Sequence, residues 1–123
     1  GNIDTFGTSC SLINSGSRSY TLLPDTTLSL GTHITTCSGY TFALQVDGNF
    51  VINKDGGTIW STHTQNKNAS HMALQGDGNV VIYAEGTAIW NFETQGNANA
   101  RLAFQEDGNF VLYGSDGKVI KAR

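Results

Sequence analysis

The stretch Gln45-Val46-Asp47-Gly48-Asn49-Phe50-Val51-Ile52-Asn53 decides the fold, because near-copies of it begin again at residues 75 and 105. The copies are Gln75-Gly76-Asp77-Gly78-Asn79-Val80-Val81-Ile82-Tyr83 and Gln105-Glu106-Asp107-Gly108-Asn109-Phe110-Val111-Leu112-Tyr113. A fixed period of this length is typical of one supersecondary unit used several times, in which each unit buries its apolar face against its neighbours. The sequence therefore predicts three equivalent units that carry the same polar residues.

Each unit contains at least three strand-like pieces. An apolar run precedes each phrase, at residues 40–44, 71–74 and 101–104, and a glycine-containing break follows it. After the break come the apolar pairs Ile59-Trp60, Ile89-Trp90 and Val119-Ile120. Asp-Gly between alternating apolar residues is a strong β-hairpin signal, because Gly takes positive φ without a Cβ clash and Asp tolerates it. We expect tight turns at Asp47-Gly48, Asp77-Gly78 and Asp107-Gly108.

Composition favours a single all-β domain over residues 1–123. The chain has 15 glycines and only 14% charged residues, which suits short strands with uncharged polar outer faces, and no segment indicates a helix. We divide it into an N-terminal segment at 1–19 and repeats at about 20–60, 61–90 and 91–123. A net charge of −3 argues against nucleic acid as a partner. No apolar stretch approaches the ~20 residues that span a bilayer, so we expect no membrane insertion.

Alternation within each phrase predicts which residues face the core. Strand side chains point to opposite faces in turn, so Phe50 and Ile52 should face inward while Asn49, Val51 and Asn53 face outward. In the other copies the expected core residues are Val80, Ile82, Phe110 and Leu112, and the expected surface residues are Asn79, Val81, Tyr83, Asn109, Val111 and Tyr113. With Gln and Asp nearby, each unit should present a shallow polar patch that includes an exposed valine.

Such a patch suits a ligand rich in hydroxyl groups. A carboxylate only accepts hydrogen bonds, a carboxamide both donates and accepts, and a phenol does either, so together they can pair with several neighbouring hydroxyls. The small valine can lie against the C–H face of a sugar ring. Without a deep pocket each site should bind weakly, with a Kd of about 1 mM, and several copies should compensate through multivalency.

The repeated pattern Q-x-D-x-N-x-V-x-Y resembles the signature of the bulb-type, or monocot-type, mannose-binding lectins, over roughly residues 20–121. The resemblance implies a β-prism II fold with three four-stranded antiparallel sheets around a pseudo-threefold axis. It also implies α-mannose and mannose-containing glycans or glycoproteins as partners, with no cofactor. In that family Gln, Asp, Asn and Tyr bind the sugar hydroxyls, Asp and Asn read the axial 2-hydroxyl, and Val packs on the ring. The residues implied here are Gln75, Asp77, Asn79, Val81 and Tyr83, then Gln105, Asp107, Asn109, Val111 and Tyr113, and finally Gln45, Asp47, Asn49, Val51 and Asn53.

Two positions depart from the family pattern. Asn53 stands where the other two phrases end in Tyr, and its shorter side chain lacks the phenolic hydroxyl, so we expect the first site to be weaker. The family commonly places one Trp from each unit in the central core. Trp60 and Trp90 fit, but the third equivalent is Ile120, and we expect the core to repack around this smaller residue.

The two ends of the sequence pose a related question. The units continue after Trp60 and Trp90, whereas the sequence stops at Arg123. Residues 3–8 match residues 89–94 at three of six positions, so we hypothesise that the N-terminal segment supplies the missing strand, within the monomer or exchanged with a partner. The resemblance allows a homodimer, although the different ends put the family's usual strand exchange in question.

Cys10 and Cys37 lie outside the repeated phrases. In a chain of this kind we expect a disulfide between them, which would contribute roughly 3 kcal/mol through loop closure, and a secreted or extracellular protein. Two free thiols in a cytosolic protein are the alternative. Asn68-Ala69-Ser70 is an N-glycosylation sequon, which matters only for a chain secreted by a eukaryote.

Catalytic and metal sites are not indicated. Asp47-Gly48-Asn49 also occurs in calcium loops, but each phrase brings one carboxylate where such loops bring several oxygen ligands, so we expect no metal. The histidines His33, His63 and His71 show no ligand spacing. No paired carboxylates and no nucleophile with its base recur in the units, so we expect no enzyme activity.

Two alternatives stay open at this point. The repeated Asp and Asn residues also favour turns, and could simply stabilise the hairpins. The scaffold could also serve as a protein-interaction or defence module in which sugar binding is vestigial.

Overall fold

A computed structural model describes residues 20–123, and the predicted strand at residues 3–8 lies outside this range, as does Cys10. The described residues form twelve β-strands and no helix, so none of their segments is a helix long and apolar enough to cross a membrane. The strands are β1 (Tyr20–Leu22), β2 (Thr26–Ser29), β3 (His33–Thr35), β4 (Tyr40–Leu44), β5 (Phe50–Lys54), β6 (Gly57–Ser61), β7 (His71–Leu74), β8 (Val80–Ala84), β9 (Thr87–Asn91), β10 (Arg101–Phe104), β11 (Phe110–Tyr113) and β12 (Val119–Ala122).

The strands form three four-stranded antiparallel sheets, which confirms the predicted all-β class and sheet number. The strand orders are β3-β4-β5-β6, β2-β7-β8-β9 and β1-β10-β11-β12. Three strands of each sheet come from one repeat and follow each other along the chain. The fourth comes from residues 20–35, where β1, β2 and β3 are close in sequence yet each pairs with a different sheet. This short segment therefore joins all three sheets.

The repeated Asp-Gly sequences form hairpin turns, as predicted, but only the glycine has positive φ among these turn residues. Gly48 has φ +92°, whereas Asp47 is not among the described residues with positive φ. The Gly48 N–H donates to the Gln45 carbonyl, and the Gln45 N–H donates to the Asn49 carbonyl, both at 2.8 Å. The loop therefore has three residues and a final glycine, a common hairpin connection, and the other two units repeat it.

Turn length differs among the second hairpins of the units. Asp55-Gly56 and Glu85-Gly86 are two-residue turns with positive φ at both positions. The third hairpin uses Ser115-Asp116-Gly117, closed by a 2.8 Å hydrogen bond from the Gly114 N–H to the Lys118 carbonyl. The additional residue shifts the sequence of β12 by one position relative to β6 and β9.

This shift changes the residue at the third tryptophan position. The corresponding cross-strand pairs are Ile52–Trp60, Ile82–Trp90 and Leu112–Lys121. In the strand register the prediction that Ile120 is the third equivalent is therefore wrong, because Ile120 lies at the β-bulge between two paired positions. Ile120 is nevertheless half-buried and packs against the core, as Trp60 and Trp90 do, so the predicted smaller core member is present. Lys121 instead donates a 2.9 Å hydrogen bond to the Phe92 carbonyl, with its Nζ 4.9 Å from the Phe92 ring centroid.

The inner faces of the sheets share one hydrophobic core. The six core residues predicted from alternation are each at most 1% exposed: Phe50, Ile52, Val80, Ile82, Phe110 and Leu112. Trp60 joins the three sheets, since its ring centroid lies 6.1 Å from that of Trp90 and 5.3 Å from that of Phe110. Phe92 lies 4.9 Å from Phe110 in the same aromatic cluster. Aromatic pairs of this kind contribute about 0.5–1.5 kcal/mol each beyond their buried area.

Candidate functional site

The three repeated phrases occupy equivalent places on the outer faces of the three sheets, and we name them the first site (45–53), the second site (75–83) and the third site (105–113). In the second site β7 ends at Leu74, the loop reverses the chain, and β8 begins at Val80. Because the core residues alternate with them, Asn79, Val81 and Tyr83 face outward. The structure thus brings the predicted residues of each site together around one hairpin.

The site valines are buried, so the prediction of an exposed aliphatic side chain is wrong. Val51, Val81 and Val111 are 2%, 2% and 4% exposed. Each pairs across the hairpin with an alanine, in the pairs Ala43–Val51, Ala73–Val81 and Ala103–Val111. These paired small residues form an apolar floor at each site.

A Gln–Tyr hydrogen bond crosses this floor in the second and third sites. Gln75 Nε2 donates to the Tyr83 hydroxyl, and Gln105 Nε2 donates to the Tyr113 hydroxyl at 2.5 Å. All four side chains belong to half-buried residues. Within residues 20–123 the Gln carbonyl oxygens and the tyrosine hydroxyl protons have no partner, so both remain available to a ligand.

The site aspartates hold their turns with one oxygen. Oδ1 of Asp47, Asp77 and Asp107 accepts a hydrogen bond from the backbone N–H of the asparagine two residues later, at 3.0, 2.9 and 3.0 Å. This is the local turn role that Asp favours in many proteins. The residues are exposed, and Oδ2 of Asp47 and Asp77 has no partner within residues 20–123. A purely structural role therefore explains only one carboxylate oxygen of Asp47 and Asp77, whereas Asp107 Oδ2 also accepts a long 3.5 Å contact from Asn109 Nδ2.

The site asparagines are held mainly through Oδ1, and within residues 20–123 Nδ2 of Asn79 and Asn109 makes only one long contact, at 3.5 Å, to Asn91 Oδ1 and Asp107 Oδ2 respectively. Asn49 Oδ1 accepts from the Thr64 N–H, and Asn79 Oδ1 accepts from the Thr94 N–H, each at 3.1 Å. In the third site the donor to Asn109 Oδ1 is Nη1 of Arg123, at 3.2 Å. Since a carboxamide has its oxygen and nitrogen on opposite sides, this contact turns Nδ2 away from the donor and leaves an N–H donor for a ligand.

The first site differs as its sequence suggests. Asn53 Oδ1 accepts a 2.7 Å hydrogen bond from Thr58 Oγ1, and the side chain of Gln45 has no partner within residues 20–123. The floor residue Ala43 is half-buried here, whereas Ala73 and Ala103 are buried. The first site is thus more open than the others, and its weaker sugar binding stays a prediction.

Two residues beside the sites were missed by the sequence analysis. His71 stacks on Tyr83 with ring centroids 5.4 Å apart, and the Arg101 guanidinium carbon lies 5.4 Å from the Tyr113 ring centroid. Both stand opposite the tyrosine in the strand register. Counting back from the hairpin loop would have found them, because the loop fixes the pairing.

The described residues hold no group of three or more His, Cys, Asp or Glu side chains that could bind a metal ion. The site chemistry consists of carboxylate, carboxamide and phenol groups above an apolar floor. Such groups bind by hydrogen bonding and apolar contact.

No family model and no curated protein matches the sequence. Solved structures do match it. A monomeric monocot mannose-binding lectin from Gastrodia elata is 30% identical with a TM-score of 0.75, covering 83% of this chain and 94% of that chain. A Marasmius oreades lectin is 32% identical with a TM-score of 0.74, covering 83% and 87%. The mannose-specific agglutinin from snowdrop (Galanthus nivalis) bulbs, complexed with methyl-α-D-mannoside, is 34% identical with a TM-score of 0.72, covering 78% and 90%.

These similarities extend over most of each chain and agree with the three four-stranded sheets. The chain belongs to the bulb-type mannose-binding lectin family and has the β-prism II fold.

Proposed function

We propose that this protein is a lectin that binds α-mannose and mannose-containing glycans at its three sites, with the first site the weakest. Lectins bind carbohydrates without catalysis, so the chain is a carbohydrate-binding protein and not an enzyme. The observation that carries the mannose assignment is the set of uncommitted polar atoms above each apolar floor. The mannose specificity of the snowdrop agglutinin supports the same ligand class.

The second site shows how these atoms suit a sugar. Asp77 Oδ2 is an acceptor and Asn79 Nδ2 is a donor, so one hydroxyl group can donate to the first and accept from the second. Gln75 and Tyr83 supply a further acceptor and donor at the other end of the site. The floor of Val81 and Ala73 carries no polar side-chain atom, which suits the C–H groups of a sugar ring.

The arrangement of the sites favours multivalent partners. One site lies on each of three sheets that surround a common core, so the sites face different directions. A single protein molecule should therefore cross-link separate glycans, and glycoproteins with several mannose-rich chains are the proposed partners. Avidity from such binding can exceed the affinity of one site by about 100-fold or more.

A titration with methyl-α-mannoside tests the proposal. Backbone amide NMR signals of Asp77, Asn79, Asp107 and Asn109 should shift at millimolar sugar, with smaller shifts in the first site. Methyl-α-glucoside is the matched control, because it differs only in the configuration at C2 and should bind more weakly. Silence at all four residues at high mannoside concentration would contradict the proposal and favour the protein-interaction module.

We further propose an extracellular location and a Cys10–Cys37 disulfide. Cys37 lies in the turn between β3 and β4, where its N–H and that of Ser38 donate to the Glu106 carboxylate at 3.2 and 2.8 Å. These hydrogen bonds hold the turn against the third unit independently of a disulfide. Reduction of the purified protein should add the mass of two hydrogens; an unchanged mass would contradict the disulfide.

A further inference from the structure

The third site differs from the other two in what holds its asparagine. In the first and second sites the donors to Asn Oδ1 are neutral: the backbone N–H of Thr64 or Thr94, together with the hydroxyl of Thr62 or Thr94. In the third site the donor is the guanidinium of Arg123, at 3.2 Å. A hydrogen bond with an ionised donor is roughly twice as strong as a neutral one, and a guanidinium is such a donor.

Arg123 is itself held on two sides. Its backbone N–H donates to the Phe110 carbonyl at 2.8 Å, and its carbonyl accepts from the Phe110 N–H at 2.5 Å. Its guanidinium carbon lies 5.4 Å from the ring centroid of Trp60, a residue of the first unit. A planar guanidinium favours such a position over an aromatic ring. The side chain thus spans from the aromatic cluster to the third site.

The consequence for Asn109 concerns the orientation of its carboxamide. With Oδ1 bonded to Arg123, Nδ2 lies on the opposite side, 3.5 Å from Asp107 Oδ2. If the guanidinium were removed, only this long contact with Asp107 would hold the amide, and the Asn109 side chain could adopt other rotamers. Asn109 would then hold its Nδ2 donor less firmly in the position where the site needs it.

We propose that Arg123 is a positioning residue of the third site, which orients Asn109 for sugar binding and links this site to Trp60 of the first unit. The predicted effect of Arg123 on sugar affinity rests on the proposed function. The predicted effect on the orientation of Asn109 is independent of that function, because it can be measured without sugar.

The variant Arg123→Met removes the donors and keeps an apolar stem, and Arg123→Lys restores a charged donor without the planar group. Lys118→Met is the matched control, since Lys118 is an exposed cation in the turn before β12 of the same sheet. Without sugar, the side-chain amide signals of Asn109 should shift or broaden in Arg123→Met and should not change in Lys118→Met. Unchanged Asn109 signals in Arg123→Met would overturn the proposal, whatever the protein binds.

Methyl-α-mannoside titrations then compare the third site with the second site in the same molecule. Arg123→Met should raise the Kd of the third site about tenfold or more, the effect expected for one lost charged hydrogen bond, and leave the second site unchanged. Arg123→Lys should fall between Arg123→Met and the unmodified protein. An equal loss at both sites would indicate general destabilisation and overturn the positioning role. Failure of the unmodified protein to bind at either site would instead refute the proposed function, and the sugar-free measurement would still decide the role of Arg123.

Discussion

Asp77 uses its two carboxylate oxygens for different purposes. Oδ1 fixes the turn through the Asn79 N–H at 2.9 Å, and Oδ2 has no partner within residues 20–123. The two roles can be separated, because an asparagine at position 77 keeps one oxygen acceptor for the turn and replaces the second with an amino group.

We therefore predict that Asp77→Asn weakens mannoside binding at the second site at least tenfold while changing the free energy of unfolding by less than about 0.5 kcal/mol. Asp77→Ala should lose the binding and also about 1 kcal/mol of stability, because the turn acceptor disappears. Site-resolved NMR titration and urea unfolding measure the two effects, with the third site as internal control. Unchanged affinity of the second site in Asp77→Asn would refute the binding role of Oδ2.

Asn53 offers the reverse experiment, a gain of binding. Asn53 pairs with Thr41 in the strand register, whereas Tyr83 pairs with His71 and Tyr113 with Arg101. A tyrosine introduced at position 53 would therefore lie opposite a smaller side chain than the tyrosines of the other sites. We predict that Asn53→Tyr gives Gln45 a phenol partner and lowers the Kd of the first site about fivefold. The control Asn53→Phe supplies the ring without the hydroxyl. Equal affinities for the two variants would show that the hydroxyl does not contribute.

At the scale of the hairpin, glycines with similar φ values have different structural roles. Gly78 has φ +90°, and a Cβ there would lie 2.3 Å from the Asn97 carbonyl oxygen. Gly86 has φ +82°, but a Cβ there would meet no atom within 4 Å. A side chain at either position would strain the backbone, because both glycines have positive φ. Only Gly78 also lies beneath another segment, whose Asn97 N–H donates to the Asp77 carbonyl at 2.8 Å.

Accordingly, we predict that Gly86→Ala lowers the free energy of unfolding by about 1 kcal/mol, from backbone strain alone. Gly78→Ala should lower it by about 3 kcal/mol or more, because the Asn97 segment must move and its hydrogen bond to Asp77 must break. Equilibrium unfolding in urea measures both. Similar losses for the two variants would contradict the steric role of the covering segment.

The hairpins also show what the sequence could and could not predict. Phe50 and Ile52 were recognised as core residues because alternation decides the face of a strand directly. Val51 was placed on the correct face, but its burial depends on how neighbouring side chains close over it. Ile120 was assigned to the tryptophan position because Val119-Ile120 is the apolar pair after the break. The true register depends on a turn with one more residue, which apolar pattern alone does not reveal.

The binding site was predicted more completely than its supports. A repeated phrase identified the residues of all three sites, since each phrase surrounds one hairpin loop. Thr64, Thr94 and Arg123, which hold the asparagines, lie 15, 15 and 14 residues away in sequence. Thr64 and Thr94 recur at the period of the repeated phrases, but the third unit uses Arg123 instead, so a repeat pattern could have identified only the first two.

At the scale of the whole molecule, Glu106 joins the third unit to the first. Its carboxylate accepts from the N–H groups of Cys37 and Ser38, and Ser38 Oγ donates to the Glu106 carbonyl at 2.5 Å. Gly108 lies under the ring of Tyr40, where a Cβ would come within 2.5 Å of the ring. The loop of the third site is thus fastened to the turn that carries Cys37, and the predicted disulfide would extend this connection to the N-terminal segment.

The third unit differs from the other two in the hydrogen bonding of its loop glycine, Gly108. Thr64 Oγ1 donates to the Gly48 carbonyl at 2.6 Å, and Thr94 Oγ1 donates to the Gly78 carbonyl at 2.7 Å. Within residues 20–123 no group donates to the equivalent carbonyl of Gly108. Thr8 is the residue that matches Thr94 when residues 3–8 are aligned with residues 89–94, and we expect it to supply this donor, from the same chain or from a partner.

Deletion of residues 1–9, which keeps Cys10, should therefore lower the free energy of unfolding by about 1 kcal/mol, because the hydrogen bond that we expect from Thr8 to the Gly108 carbonyl is lost. If the segment is exchanged between chains, the deletion should also abolish a dimer. Urea unfolding and analytical ultracentrifugation measure the two effects, and Thr8→Val isolates the hydroxyl while keeping the side-chain shape. Stability and oligomeric state that both survive the deletion unchanged would refute a contact between this segment and the third unit.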